Sequence, residues 1–334
     1  MMGISSKTAK QVLGLSVFVA SLWLLRSAVV QFDIIQLPNL FQDFITLSLS
    51  IFVEAFPFLI LGSLLASAVN TYVPPHTFDR ILPKNPFLKR CCLSLLGFLF
   101  PVCECGNVPL SRSLMIQGLK PSEAITFLLA APVINPITIW STWAAFGYDS
   151  SIVVSRIVAT LLIANFIGFV ISLKKNENDF LTDDFKALCN APMQKPTKKD
   201  KAQLGKLTKL FKHEAFTMIK MLAFGALIAG VVQTFVPRGL LVSIGSNVVL
   251  SIIAMLLLAF VISICANIDA FFALSFASTF TAGSIVSFLV FGPMIDIKML
   301  ILLKTTFKNN LLIIVSVMAL LLSMLTGLVV SYAL

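Results

Sequence analysis

Charge is what this chain has least of. Only 12% of its 334 residues are Asp, Glu, Lys or Arg, against about 25% in ordinary soluble domains. That deficit excludes a soluble globular protein. Histidine is equally scarce: His76 and His213 are the only two. Both are expected in loops at the edges of apolar runs, which leaves no histidine metal cage and no catalytic triad. There is no G-x-x-x-x-G-K-[ST] run, so the chain itself should not hydrolyse ATP. No other cofactor motif is present, no cofactor is expected, and the chain does not read as an enzyme. The aromatic residues are nearly all Phe, 29 of them, which suits lipid-facing and core packing and carries no further signal. The six cysteines do not make a disulfide framework, because such frameworks belong to small secreted domains rather than a long intracellular-type chain.

What is there is apolar: 58% of residues are hydrophobic, which makes the chain a polytopic membrane protein. The net charge of +10 is placed unevenly, with ten lysines in the segment 174–212. The remaining basic residues mostly flank apolar runs, as topology signals do. A nucleic-acid partner is therefore not expected; the bilayer is the partner that the composition implies. Nothing in the sequence specifies an oligomeric state. The apolar run 11–25, after Lys7 and Lys10, lacks a small-residue cleavage site and is followed by more spans. It reads as a retained first helix.

The spacing of runs predicts an all-α membrane protein of about eight to nine transmembrane helices, supplemented by broken or re-entrant ones. Residues 1–40 hold the N-terminal helix, 41–173 a first membrane half, 174–212 a basic linker, and 213–334 a second membrane half. The loop with Arg80, Lys84, Lys89 and Arg90, the N-terminus and the linker are assigned to the cytoplasm. Pro192 and Pro196 mark the linker as solvated and partly disordered. The loop 237–247, with Arg238 alone, belongs outside, and Arg156 near an outer end is an exception.

The chain is organised around FPVCECGNVPLSRSL (100–114) and FLLAAPVINP (127–136). Unpaired backbone groups cost several kcal/mol in hydrocarbon, so helix breakers persist only where protein or a water-filled cavity surrounds them. The first stretch reads as a re-entrant hairpin broken at Pro101 and Gly106. The second reads as a span interrupted at Pro132 and Pro136.

Both stretches have partners later in the chain. GSLLASAVNTYVP (62–74) aligns with GALIAGVVQTFVP (225–237), seven of thirteen residues identical; CGNV (105–108) aligns with CANI (265–268), and FLLAAPVINP with FLVFGPMIDI (288–297). Pro74 leads into the basic loop and Pro237 into the loop nearly free of basic residues, so the halves face opposite ways. Inverted repeats with broken helices meeting near the midplane are the architecture of many secondary transporters.

CECGNVPLSRSLMIQG (103–118) followed by FLLAAPVINPITIWST (127–142) resembles the predicted-permease family that includes the organoarsenical efflux permeases. The resemblance runs from about Glu54 to the C-terminus. It implies a multi-helix inner-membrane permease and, for some members, export of trivalent organoarsenicals. Glu104 departs from it, standing where a small residue is usual between the cysteines and adding charge beside the thiols.

Cys103 and Cys105 are soft ligands suited to thiophilic species such as As(III), Hg(II) or Cu(I). Cys265, the repeat partner of Cys105, is a candidate third thiol. Each of these also fits as a small buried packing residue, whereas Cys91, Cys92 and Cys189 read as structural. Asn107 and Asn135, with counterparts Asn267 and Asp296, are candidates for capping broken helices or for touching substrate. Pro109, Pro132 and Pro136 are read as helix breakers, and Gly106 as the flexible tip of the hairpin. Glu54, Glu104, Asp269 and Asp296 lie at membrane depth, where an acid faces a cavity or pairs with a cation. Lys220 and Lys298 are conceivable partners; Glu54, Glu104 and Asp269 are candidates for proton coupling. The leading function is a secondary permease, an exporter of a thiophilic metalloid or metal compound or of another small solute, working by alternating access. The alternatives are a membrane thiol-redox enzyme using Cys103 and Cys105, or a membrane subunit of a larger complex.

Overall fold

The computed structural model describes residues 39–74, 77–100, 102–147, 150–190, 200–235 and 248–333. The expected N-terminal helix at 11–32, His76, Pro101 and the loop 237–247 lie outside the described residues. Among these residues there is no strand; an isolated antiparallel bridge joins Leu181 to Phe307. Everything else regular is helical.

The apolar runs become long helices because in lipid a helix is the one open-chain structure that satisfies its own backbone. The first half holds α1 (Asn39–Tyr72), a one-turn α2 (Thr77–Ile81), α3 (Pro86–Ser94), α4 (Glu104–Ile116), α5 (Pro121–Ala130), α6 (Pro136–Phe146) and α7 (Ser150–Ser172). After α8 (Asp183–Asn190) the second half holds α9 (Asp200–Phe235), α10 (Val248–Ile262), α11 (Asp269–Leu274), α12 (Ala282–Met294), α13 (Ile297–Leu303) and α14 (Asn309–Ala333). Five stretches of described residues are long and apolar enough to cross a membrane: 40–72, 150–172, 207–234, 282–303 and 309–333. The protein is a multi-pass membrane protein.

The breaks follow local chemistry. Asn85 caps α3 by accepting from the Phe87 N–H at 3.0 Å, with Pro86 in the first turn, where a missing N–H does no harm. Asn135 and Pro136 start α6 in the same way, the Asn135 side chain accepting from the Ile137 N–H at 2.9 Å. Thr281 caps α12 and Asp296 caps α13. One proline expectation needs refinement. Pro132 does sit in the gap between α5 and α6, but Pro109 lies inside α4, which runs on through it.

Packing pairs the elements in a recurring order. α5 lies against α3 and α7, and α12 lies against α10 and α14. Across the halves, α4 touches α13 and α6 touches α11. Small residues permit the tight contacts: a Cβ on Gly168 of α7 would reach the Ser122 carbonyl of α5 at 3.1 Å, and one on Gly327 of α14 would reach the Gly283 carbonyl of α12 at 2.9 Å. The broken pair α12 and α13 is the most enclosed span, whereas α1 and α14 turn most of their surface outward.

The lysine-rich stretch 174–212 departs from the irregular linker expected of it. It contains a helical turn at 177–180, then α8 and the first turns of α9. Leu181 and Phe185 are buried. The Thr182 N–H donates to the Thr306 carbonyl at 3.0 Å, and the Lys308 N–H to the Phe180 carbonyl at 2.8 Å. Two apolar side chains and these backbone bonds give the segment an anchorage that its composition conceals. His213, expected in a loop, is an exposed residue of α9.

Candidate functional site

Four interrupted segments carry the residues that the sequence singles out. α10 ends at Ile262, and the chain stays unwound to Ile268 before α11 begins at Asp269. Ser263 starts this stretch with φ of 53°, a left-handed conformation that an L-residue adopts only when its surroundings hold it there. The hold is visible. Lys298 of α13 donates from Nζ to the Ser263 carbonyl at 2.8 Å. Gln233 of α9 donates to the Ile262 carbonyl at 2.6 Å and the Val261 carbonyl at 3.2 Å. Glu54 of α1 accepts from the Cys265 N–H at 3.3 Å. Side chains from three helices thus replace the bonds lost where α10 unwinds.

Lys298 is the hub. Its ammonium is 2.9 Å from Oε1 of Glu104 and 3.6 Å from Oδ2 of Asp296, and all three side chains are buried. Asp296 also accepts from the Met299 N–H at 2.6 Å, so it is both helix cap and ion-pair partner. Glu104 opens α4 and receives the Cys265 thiol on Oε2 at 3.6 Å. Cys103 neighbours both Cys105 and Cys265. The Sγ atoms of Cys103 and Cys105 and a carboxylate oxygen of Glu104 fall within 4.8 Å of one another. Three thiols, one ammonium and the carboxylates of Glu54, Glu104 and Asp296 therefore converge.

The asparagines close the first break. Asn107 and Asn135 both donate to the Val102 carbonyl, at 3.3 Å and 3.4 Å, tying the start of α4 to the start of α6. Asn267 meets the second break: the Thr138 hydroxyl donates to its Oδ1 at 3.0 Å and to the Pro132 carbonyl at 2.8 Å. Asp269 stands apart from the lysine cluster. It holds a two-pronged pair with Arg156 of α7, at 2.5 Å and 3.1 Å, and Arg156 also donates to Thr142 at 2.6 Å.

Gly106 is not a flexible tip. It lies in the first turn of α4, and the left-handed glycine of this region is Gly118, with φ of 109°. Its missing Cβ instead admits α1: a Cβ at 106 would sit 2.5 Å from the Phe58 carbonyl. Pro109 contributes by what it lacks, since without an N–H it leaves the Cys105 carbonyl with no helical donor. The Asn107 Oδ1 is also buried without a partner. The site thus presents unused acceptors beside its thiols.

Across residues 40–332 the sequence matches a family model described as "Predicted permease". The chain belongs to this predicted permease family. It is 39% identical over 265 residues to UPF0718 protein YcgR of Bacillus subtilis, covering 78% of this chain and 88% of that one. It is 33% identical over 280 residues to a Streptococcus mutans protein described as a candidate two-component membrane permease complex subunit, covering 83% and 91%. A Methanocaldococcus jannaschii protein, UPF0718 protein MJ0584, is 30% identical over 111 residues, or 33% of this chain and 29% of that one. No solved structure matches.

One cation of this permease family member carries more than the sequence reading allotted it. Arg156 reads there as a topology exception, yet it is buried against Asp269; Lys298, named there as a conceivable partner of the acids, is buried against Glu104 and Asp296. The available signal for Arg156 was a basic residue placed inside an apolar run with acids elsewhere at the same depth. Arg112 is a second case. It is 2.8 Å from Glu214 of α9, donates to the Thr305 carbonyl at 3.0 Å and the Thr306 hydroxyl at 2.9 Å, and its guanidinium lies 4.5 Å from the Phe185 ring. Of the remaining cysteines Cys92 is exposed, while burial pushes the Cys189 thiol up to about 11, which keeps it protonated and poorly nucleophilic near neutrality.

Proposed function

We propose that this protein is a secondary permease whose substrate passes through the cluster of Cys103, Glu104, Cys105, Cys265 and Lys298. The observation that carries the reading is the convergence of three thiols with Glu104 where unwound segments meet, an arrangement built for a thiophilic cargo such as a trivalent metalloid or soft-metal compound. The family supports a permease rather than an enzyme. An inverted repeat is supported by the recurring element order, by the paired caps Asn135 and Asp296, and by the reciprocal contacts of α4 with α13 and α6 with α11. Alternating access between the halves is the cycle this architecture suits. Glu54, Glu104 and Asp269 are the groups proposed to exchange protons during it, because a buried carboxylate changes partners only at the cost of exposing or protonating it.

Cells expressing the wild type should accumulate less of a toxic arsenical or mercurial than cells expressing Cys105→Ala. Equal resistance and equal accumulation in the two strains, at equal expression, would remove the thiols from substrate binding while leaving the permease intact. The description of the Streptococcus relative favours a second reading, in which the chain is one subunit of a larger permease. Purified protein that transports alone in liposomes eliminates that reading.

A further inference from the structure

We propose that the groove between α3 and α7 is a binding site for one anionic phospholipid. It has two compartments. The first, about 380 Å³, is lined by Lys84, Lys89, Arg90, Lys120, Glu123 and Glu177, among others. The second, about 560 Å³, is lined almost wholly by apolar side chains, including Phe87, Leu95, Leu161, Leu162, Phe166 and Phe169. Both compartments draw their walls from α3 and α7, and Arg90, which lines the first, has its guanidinium carbon 5.8 Å from the centre of the ring of Phe169, which lines the second.

The polar compartment has an excess of positive charge that its own acids do not cancel. Glu123 is engaged by Lys89 at 3.1 Å and accepts from the Lys120 N–H at 3.0 Å. Glu177 accepts from the Ser122 N–H at 2.9 Å, capping the start of α5. Lys84, Lys120 and Arg90 remain for a ligand. Arg90 is the decisive residue: it is 4% exposed, yet its Nε has no hydrogen-bond partner. A buried guanidinium without full hydrogen bonding is costly, and a phosphate is the acceptor whose geometry suits it. Gly168 makes room for it, since a Cβ there would press on the Arg90 Cδ at 3.1 Å.

A basic pocket and an apolar groove walled by the same two helices fit a molecule with an anionic head and an acyl tail. Basic pockets between transmembrane helices hold such headgroups. The phosphate is assigned to Arg90, Lys84 and Lys120, and one chain to the furrow of Phe87, Leu162 and Phe166. Free phosphate would use only the first compartment and a neutral lipid only the second.

The test is native mass spectrometry of the full chain in neutral detergent, titrated with dioleoyl phosphatidylglycerol or dioleoyl phosphatidylcholine. One phosphatidylglycerol adduct should persist against excess phosphatidylcholine and against millimolar glycerol phosphate. Lys84→Gln combined with Lys120→Gln, both exposed and safe for folding, should weaken it on the order of tenfold. Leu162→Trp should weaken it by blocking the groove, and Arg90→Gln should weaken it further, with the thermal transition in detergent confirming that each variant is folded. Equal retention of the two lipids, or an unchanged adduct in the lysine pair, would overturn the proposal. Displacement by glycerol phosphate would overturn the assignment of the acyl chain.

Discussion

At the scale of single residues, Lys298 governs the candidate site, because it is the ammonium against which Glu104 and Asp296 are both set. Removing one partner of a buried ion pair costs about 3–5 kcal/mol, since the other charge is left uncompensated. Lys298→Met should therefore lower the thermal transition of the detergent-solubilised protein steeply and abolish transport. Adding Glu104→Gln should restore most of the stability but not the activity. A double variant as unstable as the single one would mean that Lys298 acts through the Ser263 carbonyl instead. The acids, thiols and asparagines of this cluster are all legible in the sequence, because polar residues are rare in apolar runs. Their cations are legible only in part. Lys298 can be named from the sequence as a conceivable partner of the acids, whereas Arg156 resembles the basic residues that flank any span, and only a third dimension places it against Asp269.

At the scale of elements, the interruptions are legible because Pro and Asn announce them. Asn85–Pro86 and Asn135–Pro136 both become a capped helix start. What the residues alone do not disclose is how close the elements come. Gly106 looks like a hinge in one dimension, whereas in the fold it is a place where two backbones touch. Gly106→Ala should destabilise the protein by about 1–3 kcal/mol through overpacking against α1. The same change at Gly205, where a Cβ would meet nothing within 4 Å, should not destabilise it. Thermal unfolding of the two variants in one detergent distinguishes these cases, and equal transitions would return Gly106 to a conformational role. The regular structure within 177–190 was hidden for a different reason. Its stability comes from burying Leu181 and Phe185 against distant residues, a tertiary effect that lysine-rich composition masks.

At the scale of the whole molecule, the segment that leads out of the first half is fastened to the second. Thr182 and Phe180 bond to the turn after α13, and Arg112 of α4 bonds to that same turn and to α9. Peptide continuity between the halves is then redundant to their association. Residues 1–194 and 195–334, produced as separate chains in one cell, should copurify on a tag carried by either chain. Arg112→Gln together with Phe185→Ala should abolish that copurification, whereas fragments that fail to copurify without these changes would show that the covalent connection is needed. Copurification would make this fastening a clasp that holds the two halves together without the peptide bond between them.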